Sequence, residues 1–431
     1  MENQRQETDW RSIYTLSFTT FLMSLQMGTV NINLWAYITE LDKSISSVFF
    51  GYMLSLSSLF NVLATFLAGY FANVIAHTLP AMLMGKVSTV IACLLFISAE
   101  LFNAERRFIF MVMEAFFGIA TGLVSVSRAQ IASSSVEQER QKAISIHGFA
   151  LTTGIATGPF VMTLMSLLKY PGIAYMFGLH FNMFTTPAYF VIACSFVAIM
   201  LLIFQYNGKL NEAPIVVTKE LKEHLSQLKT HSYDSLAIFI CCLTKICTGL
   251  TMVFMTAVNN VYIMQSFKWT SAEYVFYQAL MNGMSGFAEF NQTVVVEPGC
   301  RASHDWCEET PAIDPTLYCV SHVICLSISL PLMMLNIEML FSTILGPIKQ
   351  GTQFGIFLVC GEVLNVAGPI IMTQIYEDSG PRLIWTFMIA VHVFVMLAWT
   401  VFYPRMIPYS QMIQQKIRNG ETTLTAVEAF K

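Results

Sequence analysis

The sequence predicts an all-α polytopic membrane protein that is built from two helical halves. Composition is the first observation behind this class. Hydrophobic residues make up 55% of the 431 residues and charged residues only 12%, against roughly 25% charged residues in a soluble domain. The mean hydropathy is +0.59. Apolar segments of about 18 residues or more, long enough to cross a bilayer, recur from end to end.

A repeated Gly-Pro motif is the second observation. The stretch 148–163 reads as the middle of an apolar helix, yet it contains Gly158 followed by Pro159. In a soluble helix an interior Gly costs about 1 kcal/mol and Pro about 3, whereas packed membrane helices tolerate both. The same Gly-Pro-x-x-Met-Thr pattern returns at Gly368 and Pro369. Gly/Pro-interrupted helices in corresponding positions of two halves are typical of transporters built from repeats. We interpret these residues as hinge and packing elements: Gly154, Gly158, Pro159, Gly368 and Pro369.

The apolar runs place the predicted helices in two groups. The first group lies at about 13–38, 48–73, 79–99, 108–132, 144–168 and 184–205. The second lies at about 235–263, 317–341, 352–376 and 383–403, with a weaker apolar stretch at about 271–288 and a polar loop at 289–316. We therefore divide the chain into a first half (1–205), a linker (206–233), a second half (234–403) and a polar tail (404–431). At about 20 residues per span, the second half is about one to two helices short. We expect that 271–288 does not cross as a complete helix.

Charged loops indicate the orientation. If the N-terminus, the linker and the tail are cytosolic, cytosolic segments hold 13 Lys and Arg residues and the opposite side holds 7. This bias follows the positive-inside rule. The loop 289–316 then lies on the other side, where Asn291 begins a glycosylation sequon and Cys300 and Cys307 form a candidate disulfide.

Ionisable residues inside apolar helices are costly and tend to face a cavity or a partner. The chain offers seven: Lys86, Glu114, Arg128, His147, Lys245, Glu338 and Glu362. We select Glu114, Arg128, Lys245 and Glu362 as candidates for a substrate or ion pathway. Glu114 and Arg128 share one helix face but lie about 21 Å apart, so they do not pair. Structural ion pairs, and snorkelling of Arg128 and Glu338 to the interface, remain the alternatives.

The sequence contains no Walker loop, no zinc-spaced Cys/His set and no nucleophile elbow. We therefore expect no enzyme activity and no cofactor. The net charge of −4, without a basic patch, argues against a nucleic acid partner. The expected partners are the lipid bilayer and a small solute or ion, with the proton as a candidate coupling ion.

Several short motifs occur in family order along the chain. They include 10–13 (Trp-Arg-Ser-Ile), the Gly118–Gly122 pattern, 182–187 (Asn-Met-Phe-Thr-Thr-Pro) and 380–382 (Gly-Pro-Arg). In this set the chain resembles the major facilitator superfamily, and more narrowly its lysosomal branch of the neuronal ceroid lipofuscinosis type. The resemblance implies two helical halves around a central substrate path, in a lysosomal or endosomal membrane. Glu114 departs from the superfamily, which usually has an Arg at that place.

The resemblance gives a leading hypothesis and two alternatives. The leading one is a secondary active transporter of a small solute or ion, working by alternating access. The first alternative is a lysosomal anion (chloride) channel, in which Lys245 and Arg128 supply the field. The second is a non-transporting membrane scaffold. In the tail, Tyr409 and Met412 have the Tyr-x-x-bulky form of endolysosomal sorting signals.

Overall fold

The computed structural model describes residues 8–75, 77–102, 106–135, 137–165, 167–174, 178–208, 234–267, 314–322, 330–345 and 351–407. The weak stretch 271–288, most of the linker, and the loop and tail residues Asn291, Cys300, Cys307, Tyr409 and Met412 lie outside the described residues. The same holds for the side chains of Arg128 and Pro159, whose backbones are described.

The first half is described in eight helices, and it contains four of the stretches that are long and apolar enough to cross a membrane. Its helices are α1 Trp10–Gln26, α2 Ile32–Leu41, α3 Ser47–Ile75, α4 Leu79–Ser98, α5 Arg106–Gly122, α6 Ser125–Ser134, α7 Glu137–Met165 and α8 Thr185–Gln205. A π-helical segment, Met27–Asn31, joins α1 to α2. The helix predicted at 108–132 is therefore α5 followed by α6. A short antiparallel pair, β1 Ile173–Ala174 and β2 His180–Phe181, lies between α7 and α8.

The second half is described in fewer elements. They are α9 Ser235–Val253, a π-helical segment Phe254–Asn259, α10 Asn260–Ser266, α11 Pro315–His322, α12 Leu330–Leu345, α13 Gly351–Ser379 and α14 Pro381–Phe402. Six stretches of the described chain are long and apolar enough to cross a membrane by length and composition. The fold is all-α and polytopic, as predicted.

The first helix of each half begins and changes pitch in the same way. Asp9 caps α1, its Oδ1 accepting from the Ser12 N–H at 3.1 Å. Asp234 caps α9, its Oδ1 accepting from the Leu236 N–H at 3.0 Å. Such caps satisfy N–H groups that have no partner within the helix. Each helix then runs 17 or 19 residues to its π segment. The two halves therefore repeat a whole helix, not only the Gly-Pro motif.

The buried apolar residues form three clusters, one at one end of the helix bundle and two at the other. We call the end where α1 and α9 begin the Trp10 end, and the opposite end the Asp42 end. At the Asp42 end one cluster contains residues of both halves, among them Trp35, Phe50, Met183, Phe254, Met372 and Tyr376. At the Trp10 end each half has its own cluster: Ile13, Leu16, Ala72 and Leu202 in the first, and Ile240, Phe341 and Phe357 in the second. In the described chain the halves thus share a core only at the Asp42 end.

Candidate transport pathway between the halves

Helix α13 packs against both halves, because two faces of it carry small residues. On one face, a Cβ built on Gly361 would lie 3.2 Å from Lys245 Cγ, and one on Gly368 would lie 2.9 Å from Val253 Cγ1. Both contacts are with α9. On the other face, Pro369 and Thr373 meet Gly51 of α3. Small residues let membrane helices approach this closely. The predicted motif residues Gly368 and Pro369 therefore sit where the second half meets the first.

Two contacts join α3 and α13 near the Asp42 end. A Cβ on Gly51 would lie 2.8 Å from the Pro369 carbonyl oxygen, so only a glycine allows this approach. One turn closer to the Asp42 end, Glu377 Oε1 accepts from the Ser47 N–H at 2.9 Å and from the Ser47 hydroxyl at 2.6 Å. Ser47 and Glu377 are 330 residues apart in the chain. These contacts close the Asp42 end.

Glu362 lies on the face of α13 that points toward the first half. It precedes Pro369 by seven residues, which places both on one helix stripe about 10 Å apart. Pro369 is buried against α3, whereas Glu362 is exposed. Its Oε2 accepts from Asn365 Nδ2 at 2.9 Å. Glu362 therefore lies on the same stripe as the α3 contact, about 10 Å toward the Trp10 end, where the cores of the halves are separate.

Glu114 lies inside the first half rather than between the halves. It is 2% exposed, on α5, and the Ser57 hydroxyl of α3 is its hydrogen-bond partner. Its other carboxyl oxygen, Oε1, has no hydrogen-bond partner in the described chain. One turn further, Gly118 packs on the Ser57 backbone. A buried carboxyl with an unpaired oxygen is a candidate for binding a proton or a cation.

Lys245 forms an ion pair within the second half. Its Nζ lies 2.9 Å from Glu338 Oε1 on α12, and the two side chains are 10% and 31% exposed. The same Nζ lies 5.3 Å from the centre of the Phe357 ring on α13, a cation–π distance. The structural ion-pair interpretation, which the sequence left open, describes this lysine.

The Gly-Pro motif of the first half packs on the first helix. A Cβ on Gly154 would lie 2.6 Å from the Phe21 carbonyl oxygen of α1. A Cβ on Gly28, within the π segment, would lie 2.9 Å from the Gly158 Cα. Each Gly-Pro helix therefore packs along the first helix of its own half, at or beside the π segment.

The structure does not bring the sequence-selected charges together. Glu114 lies between α3 and α5, Lys245 lies between α9, α12 and α13, and Glu362 is exposed on α13. Sequence reasoning missed the two π segments, although a signal was present. Residues 27–31 read Met-Gly-Thr-Val-Asn and residues 255–259 read Met-Thr-Ala-Val-Asn. π-Helical turns are rare and are often found at functional sites.

An ion pair fixes the connection between α2 and α3 at the Asp42 end. Arg107 Nη2 lies 2.8 Å from Asp42 Oδ2, with the two side chains 50% and 23% exposed. The Ser44 N–H and hydroxyl donate to Asp42 Oδ1 at 2.9 and 2.6 Å. The Arg107 hydrogen bond, followed by those of Ser44, lowers the pKa of Asp42 to about 2.

Two repeated helical halves, joined at one end of the bundle and separate at the other, define the class of membrane transporters with two pseudo-symmetric halves. The sequence profile described as Major Facilitator Superfamily matches residues 16–294. The chain therefore belongs to the major facilitator superfamily, as the sequence motifs indicated.

Among known proteins, the chain is similar to Major facilitator superfamily domain-containing protein 8 of Xenopus laevis. The two are 22% identical over 494 residues, covering 95% of this chain and 94% of the relative. Because this chain has only 431 residues, the alignment includes residues of the relative that have no counterpart here. This agrees with a chain that is shorter than the relative by about one to two helices.

Three solved structures have the same fold. A POT family transporter in complex with a thioalcohol-conjugated peptide has a TM-score of 0.63 at 12% identity, covering 92% of this chain and 96% of that chain. A D-xylose-proton symporter has a TM-score of 0.61 at 13% identity, covering 90% of this chain and 97% of that chain. A bacterial homolog to the human lysosomal transporter Spinster, in an inward-facing and occupied conformation, has a TM-score of 0.58 at 11% identity, covering 93% of this chain and 97% of that chain. At these identities the similarity concerns the fold alone.

Proposed function

We propose that this protein is a secondary active transporter of a small solute or ion in the lysosomal or endosomal membrane, working by alternating access. The Trp10 end faces the cytosol, as the distribution of Lys and Arg favours. Two similar structures support proton coupling and the lysosomal location, since one is a D-xylose-proton symporter and another is a bacterial homolog of a lysosomal transporter.

The main observation behind this proposal is the distribution of the three hydrophobic clusters between the two ends of the bundle. A shared core at the Asp42 end and separate cores at the Trp10 end are what a carrier needs when its substrate path is open on one side. Closing the Trp10 end and parting the Asp42 end would expose the same path to the other side. A scaffold needs no such difference between its ends.

Glu362 and Glu114 have different roles in this proposal. Glu362 faces the space between the halves and binds the substrate or its coupling ion directly. Glu114 is buried between α3 and α5 and carries a proton, since a neutral carboxyl is the favoured form where one oxygen has no partner. Arg128, on α6, belongs to the same half, and its part in the pathway follows from the sequence only.

We favour a carrier over an anion pore because of the Lys245 ion pair. A pore would use Lys245 and Arg128 as free positive charges, yet Glu338 neutralises Lys245 at 2.9 Å. Glu362, which we place between the halves on α13, is acidic and would repel an anion.

The experiment is flux in proteoliposomes that contain the full-length chain. Amino acids, sugars, phosphoesters and chloride are offered as separate panels, with and without a pH gradient, and uptake and electrical current are both recorded. We expect saturable uptake for one panel. Glu362→Gln should abolish it, and Glu114→Gln should remove the response to the pH gradient while exchange of substrate persists. Asp378→Asn, an exposed acidic residue on the same helix as Glu362, is the control and should behave as wild type.

Two results would overturn the proposal. Unitary, non-saturating currents would establish a pore. Absence of flux in every panel would favour the scaffold hypothesis, provided that a melting curve shows the protein to be folded.

A further inference from the structure

We propose that Glu377 is a proton-sensitive latch, by which the second half caps α3 of the first half and holds the Asp42 end closed until the carboxylate is protonated. This inference rests on the proposed function, because a latch matters only if that end opens. It assigns a role to a residue that the transport pathway described above does not use.

Glu377 accepts a hydrogen bond from an N–H group at the N-terminus of α3 for which the first half provides no acidic residue. The first turn of α3 contains no acidic residue, although the helix is 29 residues long. Ser46 Oγ accepts from the Phe49 N–H at 3.2 Å. The Ser47 N–H has its acceptor on α13, where Glu377 Oε1 lies 2.9 Å away. The cap of α3 is thus divided between the two halves.

The charge of the carboxylate suits this position. The N-terminus of a helix carries a partial positive charge and stabilises a nearby anion. Hydrogen bonds to an ionised carboxylate are about twice as strong as neutral ones, and Glu377 Oε1 accepts two of them, from the Ser47 N–H and hydroxyl. Parting the halves at the Asp42 end would break both bonds and expose the N-terminus of α3.

Protonation weakens the latch in a predictable direction. A neutral carboxyl loses its attraction to the helix N-terminus, and its hydrogen bonds become neutral ones. Acid on the Asp42 side therefore favours opening. Other charged groups on the segments that meet here are Lys43 and Asp42 before α3, Arg107 beside them, Asp378 on α13 and Arg382 on α14. The Tyr376 hydroxyl is also close enough to interact electrostatically with Glu377.

The hydrogen bonds between Ser47 and Glu377 lie next to the close contact between Gly51 and α13. Ser47 and Gly51 are one turn apart on α3, and Glu377 and Thr373 are one turn apart on α13. The latch and the Gly51 contact therefore form one continuous antiparallel seam between the halves. Releasing the outer contact removes the restraint that holds the inner contact together.

Hydrogen–deuterium exchange of the full-length chain in nanodiscs tests the latch without depending on transport. Peptides that cover 44–52 and 368–380 are followed at about pH 7 and at successively lower pH values down to about pH 3, after correction for the intrinsic exchange rate. Three variants are compared with wild type: Glu377→Gln, Ser47→Ala and Asp378→Asn.

We expect acid to speed exchange in both peptides of the wild type. Glu377→Gln should show this faster exchange already at about pH 7, by about ten-fold, the effect of losing one charge-assisted hydrogen bond. Its further response to acid should be small. Ser47→Ala, which keeps the N–H donor, should lie between, and Asp378→Asn should match wild type.

The latch is refuted if Glu377→Gln exchanges like wild type at about pH 7, or if its response to acid is undiminished. Ser47→Ala provides an independent check if Glu377→Gln does not fold. Uptake measured in parallel separates the two proposals: a failed latch leaves uptake in place, and a failed carrier leaves the exchange pattern in place.

Discussion

Gly158 packs backbone to backbone on Gly28, so that a Cβ on Gly28 would lie 2.9 Å from the Gly158 Cα. In the second half the corresponding glycine, Gly368, meets a side chain, with its Cβ position 2.9 Å from Val253 Cγ1. The contact at Gly158 is also closer, since its Cβ position lies 2.4 Å from the Gly28 carbonyl carbon and Cα, and there a helix backbone must shift as a whole. The two copies of the Gly-Pro motif therefore differ in how much substitution they tolerate.

We expect Gly158→Ala to destabilise the protein by about 1–3 kcal/mol, the usual cost of overpacking. Gly368→Ala should cost less, because its closest contact is 2.9 Å, against 2.4 Å at Gly158, and involves a side chain instead of a helix backbone. Gly148→Ala is the matched control on the same helix as Gly158, since nothing lies within 4 Å of its Cβ position. Unfolding in detergent, followed by intrinsic fluorescence, measures all three. Equal losses for Gly158→Ala and Gly148→Ala would contradict the packing argument.

Gly51→Leu should part the halves at the Asp42 end, because its side chain would enter the space of the Pro369 carbonyl oxygen. Gly69→Leu on the same helix α3 is the control, as nothing lies within 4 Å of that position. Hydrogen exchange of the peptide 368–380 reports the separation, and melting of the purified protein reports stability. If both variants leave exchange unchanged, Gly51 does not maintain the closed end.

Lys245 and Glu338 should show strong coupling in a double-mutant cycle. Lys245→Met alone leaves Glu338 without its cation, and Glu338→Gln alone leaves a nearly buried ammonium group unpaired. We expect the double variant to be more stable than the sum of the single effects by roughly 1–2 kcal/mol, a value reduced for the partial exposure of Glu338. Additive effects would mean that the contact does not contribute to stability.

The Asp42–Arg107 pair should make a small contribution to stability that acid removes. The pKa of Asp42 is about 2 in the folded chain, below its ordinary value of 3.8. The unfolded chain therefore binds this proton first, and the contribution is complete above about pH 4 and disappears as the pH falls toward 2. We expect less than about 1 kcal/mol, because the pair is partly exposed.

Denaturation at a series of acidic pH values measures this effect. Asp42→Asn should lack the component between about pH 4 and about pH 2 that wild type shows. Arg107→Gln should lose most of it, because the hydrogen bond that lowers the pKa of Asp42 most is gone while those of Ser44 remain. Parallel pH profiles for all three proteins would show that the pair does not contribute.

The order of the helices could be predicted from sequence because a membrane span is a local property. A long apolar run identifies α3 or α8 without knowledge of its neighbours. The Gly-Pro motif likewise indicated a repeat, since Gly and Pro are costly inside a helix without packing partners.

Partners could not be predicted in the same way. Glu377 and Ser47 are 330 residues apart, and Lys245 and Glu338 are 93 apart, so neither pair leaves a local pattern. Sequence reasoning treated Glu114, Lys245 and Glu362 as equivalent intramembrane charges. The structure distinguishes them by their surroundings. Glu114 is buried beside a serine, Lys245 is in an ion pair, and Glu362 is exposed and accepts a hydrogen bond from Asn365.

The sorting of the cores also bears on how the chain is made. The Trp10-end cluster of the first half uses residues between Ile13 and Tyr206 only, and that of the second half uses residues between Ala237 and Met406. The Trp10 end of the first half can therefore pack in the membrane while the chain is still attached to the ribosome and before the second half is synthesised. The shared cluster at the Asp42 end, with Trp35 and Tyr376 in one core, must wait until both are present. The core that joins the halves is thus the part of the packing that cannot form before the second half is synthesised.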